Sequence, residues 1–92
     1  MRLYILIDES LDAIYGCVQG AHCVAEFMLN NKSWNNDYLI FLKADINKIV
    51  RKLELKGIEY IGFKEPDLDN KLTAIAVLEN GSLFKRLKLM GT

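Results

Sequence analysis

One proline, one histidine and two cysteines stand in 92 residues, and twelve Lys and Arg cancel twelve Asp and Glu. Each shortage excludes something. Cys17 and Cys23, six positions apart, give neither a disulfide framework nor a zinc-ligand spacing. They are expected to behave as small buried apolar groups. So few prolines and glycines exclude collagen-like and low-complexity chain. No apolar run approaches the roughly 20 residues that span a bilayer. The run Leu3 to Ile7 stops at Asp8 and Glu9, too short for a signal peptide. These absences predict a reducing cytoplasm and no membrane partner. Disorder is excluded by what is present, since 51% of the residues are apolar, enough for one domain over 1–92. The neutral balance argues against a dedicated nonspecific nucleic-acid binder. The halves nevertheless differ: residues 1–46 carry three bases against six acids, and residues 47–92 nine against six.

The hydrophobic pattern changes period along the chain. Leu3 to Ile7 is a continuous β-branched and aromatic run, which reads as a buried strand. Ser10 or Asp12 is placed to cap a helix over about Ala13 to Leu29, with Cys17, Val18, Ala21, Val24, Ala25 and Met28 as the stripe expected to face a sheet. A polar loop containing Trp34 leads to a strand at Tyr38 to Lys43. Asp45 then caps a second helix with Ile49, Val50, Leu53 and Leu55 on its apolar side, ended by Gly57. Ile58 to Phe63 is a third strand, Glu65 to Lys71 a loop around Pro66, and Leu72 to Leu78 a fourth strand. Asn80-Gly81 is a turn. Residues 83–90 suit a short helix, a final edge strand, or both in succession. Strand, helix, strand, helix, strand predicts an α/β sandwich of two or three layers around a mixed, about four-stranded sheet.

Three groups of residues carry potential chemistry. Tyr15, Gln19, His22 and Glu26 fall at helical spacing as one polar stripe, and His22 is the one side chain whose ordinary pKa lies near neutrality. Gly16 and Gly20, on the same helix, suggest close approach of a backbone, a ligand or the sheet. The loop Lys64-Glu65-Pro66-Asp67-Leu68-Asp69-Asn70-Lys71 gathers three carboxylates before Thr73, the one hydroxyl in an apolar strand. A carboxylate beside a pocket is a candidate general base; otherwise the loop is solvated surface. Lys48, Arg51, Lys52 and Lys56 line the second helix, and Lys85, Arg86 and Lys88 lie near the end. They form either an ordinary wet helix face or a phosphate-contacting surface. No glycine-rich phosphate loop, HExxH, CxxC or GxSxG occurs.

The stretch Tyr15-Gly16-Cys17-Val18-Gln19-Gly20-Ala21-His22-Cys23-Val24-Ala25-Glu26-Phe27 resembles the first helix of the archaeal- and eukaryotic-type (class II) peptidyl-tRNA hydrolases, closest to their short bacterial and phage branch. Lys64-Glu65-Pro66-Asp67 followed by Leu72-Thr73-Ala74-Ile75-Ala76 is similar to that branch's acidic loop and next strand, and Leu87-Lys88-Leu89 to its end. The resemblance covers nearly the whole chain. It implies a compact α/β fold and hydrolysis of the ester joining a peptide to the 3′ ribose of tRNA, without metal or other cofactor. Thr73 matches the family's catalytic threonine, and Glu65, with Asp67 as second choice, its acidic position. Tyr15 stands where the larger family has an important lysine, and Asp8 where a basic residue is common.

The expected function is therefore cleavage of peptidyl- or N-blocked aminoacyl-tRNA. In it Glu65 or Asp67 orients water, Thr73 donates to or positions the reacting carbonyl, and His22 assists proton transfer. Tyr15, Gln19 and Lys64 line the pocket, and Lys48, Arg51, Lys52 and Arg86 touch RNA phosphates. The alternative is a catalytically impaired relative that binds RNA or a protein. Homodimerisation through the apolar C-terminal segment is a further expectation.

Overall fold

The computed structural model describes residues 1–30 and 32–91. Its elements run β1 (Arg2–Asp8), α1 (Ala13–Leu29), β2 (Tyr38–Ala44), α2 (Ile46–Leu55), β3 (Ile61–Glu65), a single 3₁₀ turn (Pro66–Leu68) and β4 (Lys71–Glu79). The four strands form one mixed sheet in the order β2-β1-β4-β3. β1 pairs parallel with β2 and antiparallel with β4, and β4 pairs antiparallel with β3.

The apolar run of β1 explains its place at the centre. Leu3, Ile5 and Ile7 alternate with Tyr4 and Leu6, so the two sets point to opposite sheet faces. The first set meets Cys23 and Phe27 of α1, and the second meets Ile46 and Leu53 of α2. Both faces are covered, which gives three layers and resolves the choice between two and three. A half-buried strand would have alternated with polar residues.

Local chemistry fixes the helix ends. Asp12, rather than Ser10, caps α1 by accepting from the Tyr15 N–H at 3.0 Å. Asp45 caps α2 through the Lys48 N–H. At the other end Gly57 takes φ +66°, Ile58 N–H donates to Leu53 C=O, and Gly57 N–H to Glu54 C=O. That is the Schellman pairing, which only glycine enters without strain.

Several expectations are corrected. The third strand starts at Ile61 and runs on to Glu65, with Ile58 to Tyr60 outside it. Leu55 is 89% exposed, because α2 turns it away from the sheet that holds Leu53. Residues 82–91 form neither a named helix nor a named strand. They cross the open edge of β2, with Lys43 N–H donating to Lys88 C=O and Met90 N–H to Phe41 C=O, both 2.9 Å. This shields an edge that would otherwise invite another strand. Leu83, Phe84 and Leu87 join the α2-side core and Met90 the α1-side core, so most apolar side chains of the C-terminal segment are spent within the fold, while Leu89 stays exposed.

The largest correction concerns α1. Its buried side is Gly16, Gln19, Gly20, Cys23 and Phe27, whereas Cys17, Val18, Ala21, Ala25 and Met28 face outward. The two glycines explain why. They let the helix approach the sheet, and a Cβ on Gly20 would meet the Phe41 ring at 2.7 Å and Ile7 at 3.0 Å. A Cβ on Gly16 meets chiefly the methyl end of Met90, which swings aside easily, with Ile7 at 3.1 Å. Gly20→Ala is therefore expected to cost about 1–3 kcal/mol by overpacking. Gly16→Ala should stay within about 1 kcal/mol of wild type, because the helix gains from losing a glycine. Urea unfolding of both variants checks this; equal effects would refute the packing account.

Candidate active site

Three elements bring the chemistry-bearing side chains together on the α1 side of the sheet. α1 supplies Tyr15, Gln19 and His22, β3 ends at Glu65, and β4 enters at Thr73. Thr73 reaches this side through an irregularity. Down β4, Val77 and Ile75 belong to the α2-side core and Ala76 and Ala74 to the α1 side, so strict alternation would aim Thr73 at α2. The β3–β4 register slips here, with Phe63 opposite Ala74 but Lys64 opposite Leu72. Thr73 is the extra residue of a β-bulge, and the bulge re-aims its hydroxyl at α1.

The hub is Gln19, fully buried like Thr73. Thr73 Oγ1 donates to Gln19 Oε1 at 2.7 Å, and Gln19 Nε2 donates to Glu65 Oε1 at 2.9 Å. An ionised carboxylate only accepts, so the amide must turn its NH₂ to Glu65 and its carbonyl to Thr73. The threonine proton is thereby committed to the amide. Tyr15 Oη also donates to Glu65 Oε1, over a longer 3.4 Å.

These contacts hold Glu65 ionised. The Gln19 amide is the main influence lowering its pKa below the usual 4.5. Partial burial opposes it, and the Asp67 backbone N–H, the Tyr15 hydroxyl and the nearby His22 add to the lowering. Tyr15 is displaced the other way. Loss of water around its hydroxyl and the adjacent Glu65 charge raise its pKa, so it remains a proton donor at neutral pH. Beside them His22 is exposed and stacks on Phe63, rings 4.8 Å apart and 7° from parallel.

The structure thus unites Tyr15, Gln19, Glu65, Thr73 and His22, and revises the parts they can play. Thr73 is too buried to donate to a substrate; its hydroxyl positions Gln19. Asp67 contributes its backbone N–H to Glu65, while its own side chain is exposed. Lys64 is exposed, and Lys71 pairs with Asp8 at the end of β1, 3.5 Å away. Sequence reasoning treated Gln19 as one of several pocket residues. Its only available signal was a long polar side chain between two helix glycines.

The basic residues divide. Lys48, Arg51 and Lys52 lie exposed on α2, which covers the opposite sheet face. Arg86 shares a hollow of about 320 Å³ with Lys52 on that side, and a second of about 460 Å³ with Glu9, Lys43 and Lys88. The second lies past the carboxyl ends of β1 and β2, at the same end of the sheet as Glu65 but on the opposite edge, with β1 and β4 between. A roomier cavity of about 700 Å³, lined by Phe27, Ile58, Tyr60 and Ile61 among others, lies at the opposite end of β3. Four residues of strand, about 13 Å, separate Ile61 from Glu65. The cavity therefore takes no part in the carboxylate's chemistry.

Cys23 is buried with its thiol toward the Ile61 carbonyl, and burial pushes its pKa up to about 12, so it is inert at neutral pH. Cys17 is exposed, contrary to expectation. Among the described residues no helix is long and apolar enough to cross a membrane. Compared with known proteins, the chain matches no family model and no curated protein.

Proposed function

We propose that the protein hydrolyses the ester between a peptide, or an N-blocked amino acid, and tRNA, in the manner of the class II peptidyl-tRNA hydrolases it resembles. The observation that carries this reading is the Thr73–Gln19–Glu65 chain. It fixes an ionised carboxylate at the rim of a buried network, with a protonated phenol beside it. In the proposed reaction Glu65 accepts a proton from the attacking water. Tyr15, at the family's lysine position, turns its O–H from Glu65 to the developing oxyanion. The ester C–O bond then breaks, and the proton held on Glu65 passes by way of His22 to the departing 3′ oxygen of the ribose. Arg86, with Lys43 and Lys88 around the hollow across the same end of the sheet, grips tRNA phosphate, and the α2 bases are left to more distant contacts.

Purified protein incubated with N-acetyl-aminoacyl-tRNA tests the proposal. Wild type should release the amino acid, Glu65→Gln should lose at least about a hundredfold in kcat, and Tyr15→Phe should lose kcat with KM little changed. Release no faster than buffer alone, at low salt and high protein, would sink it. One feature favours a second reading, as an RNA-binding module without turnover. Tyr15 cannot supply the fixed positive charge of the family's lysine. Salt-dependent tRNA binding with no ester cleavage would select that reading.

A further inference from the structure

His22 projects from α1 and Phe63 from β3, and their rings lie 4.8 Å apart and 7° from parallel. Phe63 is half-buried and His22 is exposed. One face of the imidazole therefore rests on the phenyl ring, and the other faces solvent. An exposed side chain ordinarily moves among rotamers. Here the stack fixes the plane of the ring, so a planar ligand meets a surface already ordered. An edge-to-face contact, such as Tyr4 makes with Phe84 at 65°, would have presented no flat outer face.

We propose, on the ester-hydrolase reading above, that the outer face of His22 is a stacking platform for the base at the 3′ end of the bound RNA. Position carries the assignment. His22 stands three residues from Gln19 on α1. Phe63 stands two residues from Glu65 on the same face of β3, about 7 Å along the strand. One ribose bridges such a gap between a nucleotide's base and its 3′ oxygen. A base resting on His22 therefore leaves its 3′ ester beside the Glu65 carboxylate.

The face and the edge of the imidazole serve separate ends. Protons enter and leave through the nitrogens at the edge, so a base on the face does not compete with the relay. The openness of the surface favours a base over a peptide side chain. An apolar side chain gains most from an enclosed pocket, and neither ring lines the cavities described above. A base needs only a ring face, and every base has one to offer. The basic hollow around Arg86 agrees with this path. It lies across the same end of the sheet, and three strand spacings, about 14 Å, separate β2 from β3. RNA held there by phosphate reaches Glu65 with its last nucleotides.

His22 is the chain's one histidine, so its ring protons report directly in NMR. The probe is the free trinucleotide cytidylyl-cytidylyl-adenosine, set against the same RNA lacking its 3′-terminal base. The ring current of a stacked base should move the imidazole signals upfield with the full trinucleotide and leave them in place with the abasic one. His22→Ala should weaken trinucleotide binding about tenfold. His22→Phe keeps the face without the nitrogens, so it should bind within about twofold of wild type while ester turnover falls. His22 is exposed, so both variants should fold as wild type, which circular dichroism checks. The trinucleotide carries no ester, so stacking and hydrolysis fail separately. Stacking without ester cleavage would sink the hydrolase proposal alone, and cleavage with an unmoved imidazole would sink the platform alone. A trinucleotide that does not bind at millimolar concentration, equal binding of the abasic RNA, or His22→Phe as weak as His22→Ala would each overturn the platform. So would an imidazole shifted by N-acetyl-phenylalanine amide and not by RNA.

Discussion

Gln19→Leu is expected to remove about a hundredfold from ester turnover while keeping the fold. Leucine fills nearly the same volume but neither accepts from Thr73 nor donates to Glu65. Thr73 keeps a fully buried hydroxyl with no partner, which by itself costs about 2 kcal/mol. Glu65 loses the main influence that lowers its pKa and the contact that fixes its direction. A carboxylate displaced by about 1 Å loses roughly a hundredfold in rate.

The same substitution has a pH signature. A carboxyl group whose folded pKa lies below its unfolded value contributes stability that is full above the unfolded value, 4.5 here, and lost as pH falls through the folded one. Gln19→Leu moves the folded value upward. The stability gap between wild type and variant should therefore be widest at neutral pH and narrow toward the Thr73 cost alone as pH falls below 4.5 and through the folded value. Thermal unfolding across that range measures it. A gap independent of pH would show that Gln19 does not stabilise the Glu65 anion.

Leu6→Ala is expected to bring the domain close to unfolding at physiological temperature. Leu6 is fully buried on the central strand, in the cluster that includes Leu42, Ile46, Leu53 and Ile75. Deleting a leucine side chain from such a site costs about 3–4 kcal/mol, transfer and cavity together. A chain of this size has roughly 5–14 kcal/mol in total. The melting midpoint should fall by roughly 15–25 °C. Leu55→Ala is the control. At 89% exposure it should shift stability by no more than about 0.5 kcal/mol. Similar losses from both would mean that α2 packs through the wrong face.

Why one leucine of α2 was legible and the other was not shows what a one-dimensional pattern can carry. A period identifies a helix and its caps, so Asp45 and Gly57 bound α2 where the sequence puts them, and Asp12 is one of the two α1 caps it offered. The number of apolar residues does not say which side is inward when both sides are apolar. On α1 the stripe that carries Val18 and Met28 is exposed. The side with two glycines is buried, because a thin helix face lets the sheet come close. Thr73 is a similar case. Its hydroxyl was visible as an exception in an apolar strand, but strict alternation would aim it toward α2. Only a bulge, which depends on how β3 pairs with β4, directs it to Gln19.

Sequence alone determined the element order, the α/β class, the α2 caps, the doubly buried β1 and the residue types available for acid–base chemistry. Each of these follows from neighbours a few positions apart. The tertiary structure decided which face of α1 became core, that Gln19 joins Thr73 to Glu65 across separations of 54 and 46 residues, and which α1 side chains stay outside. Those outcomes depend on the distance between a helix and a sheet and on the register of two strands. Neither is encoded in any local stretch of chain.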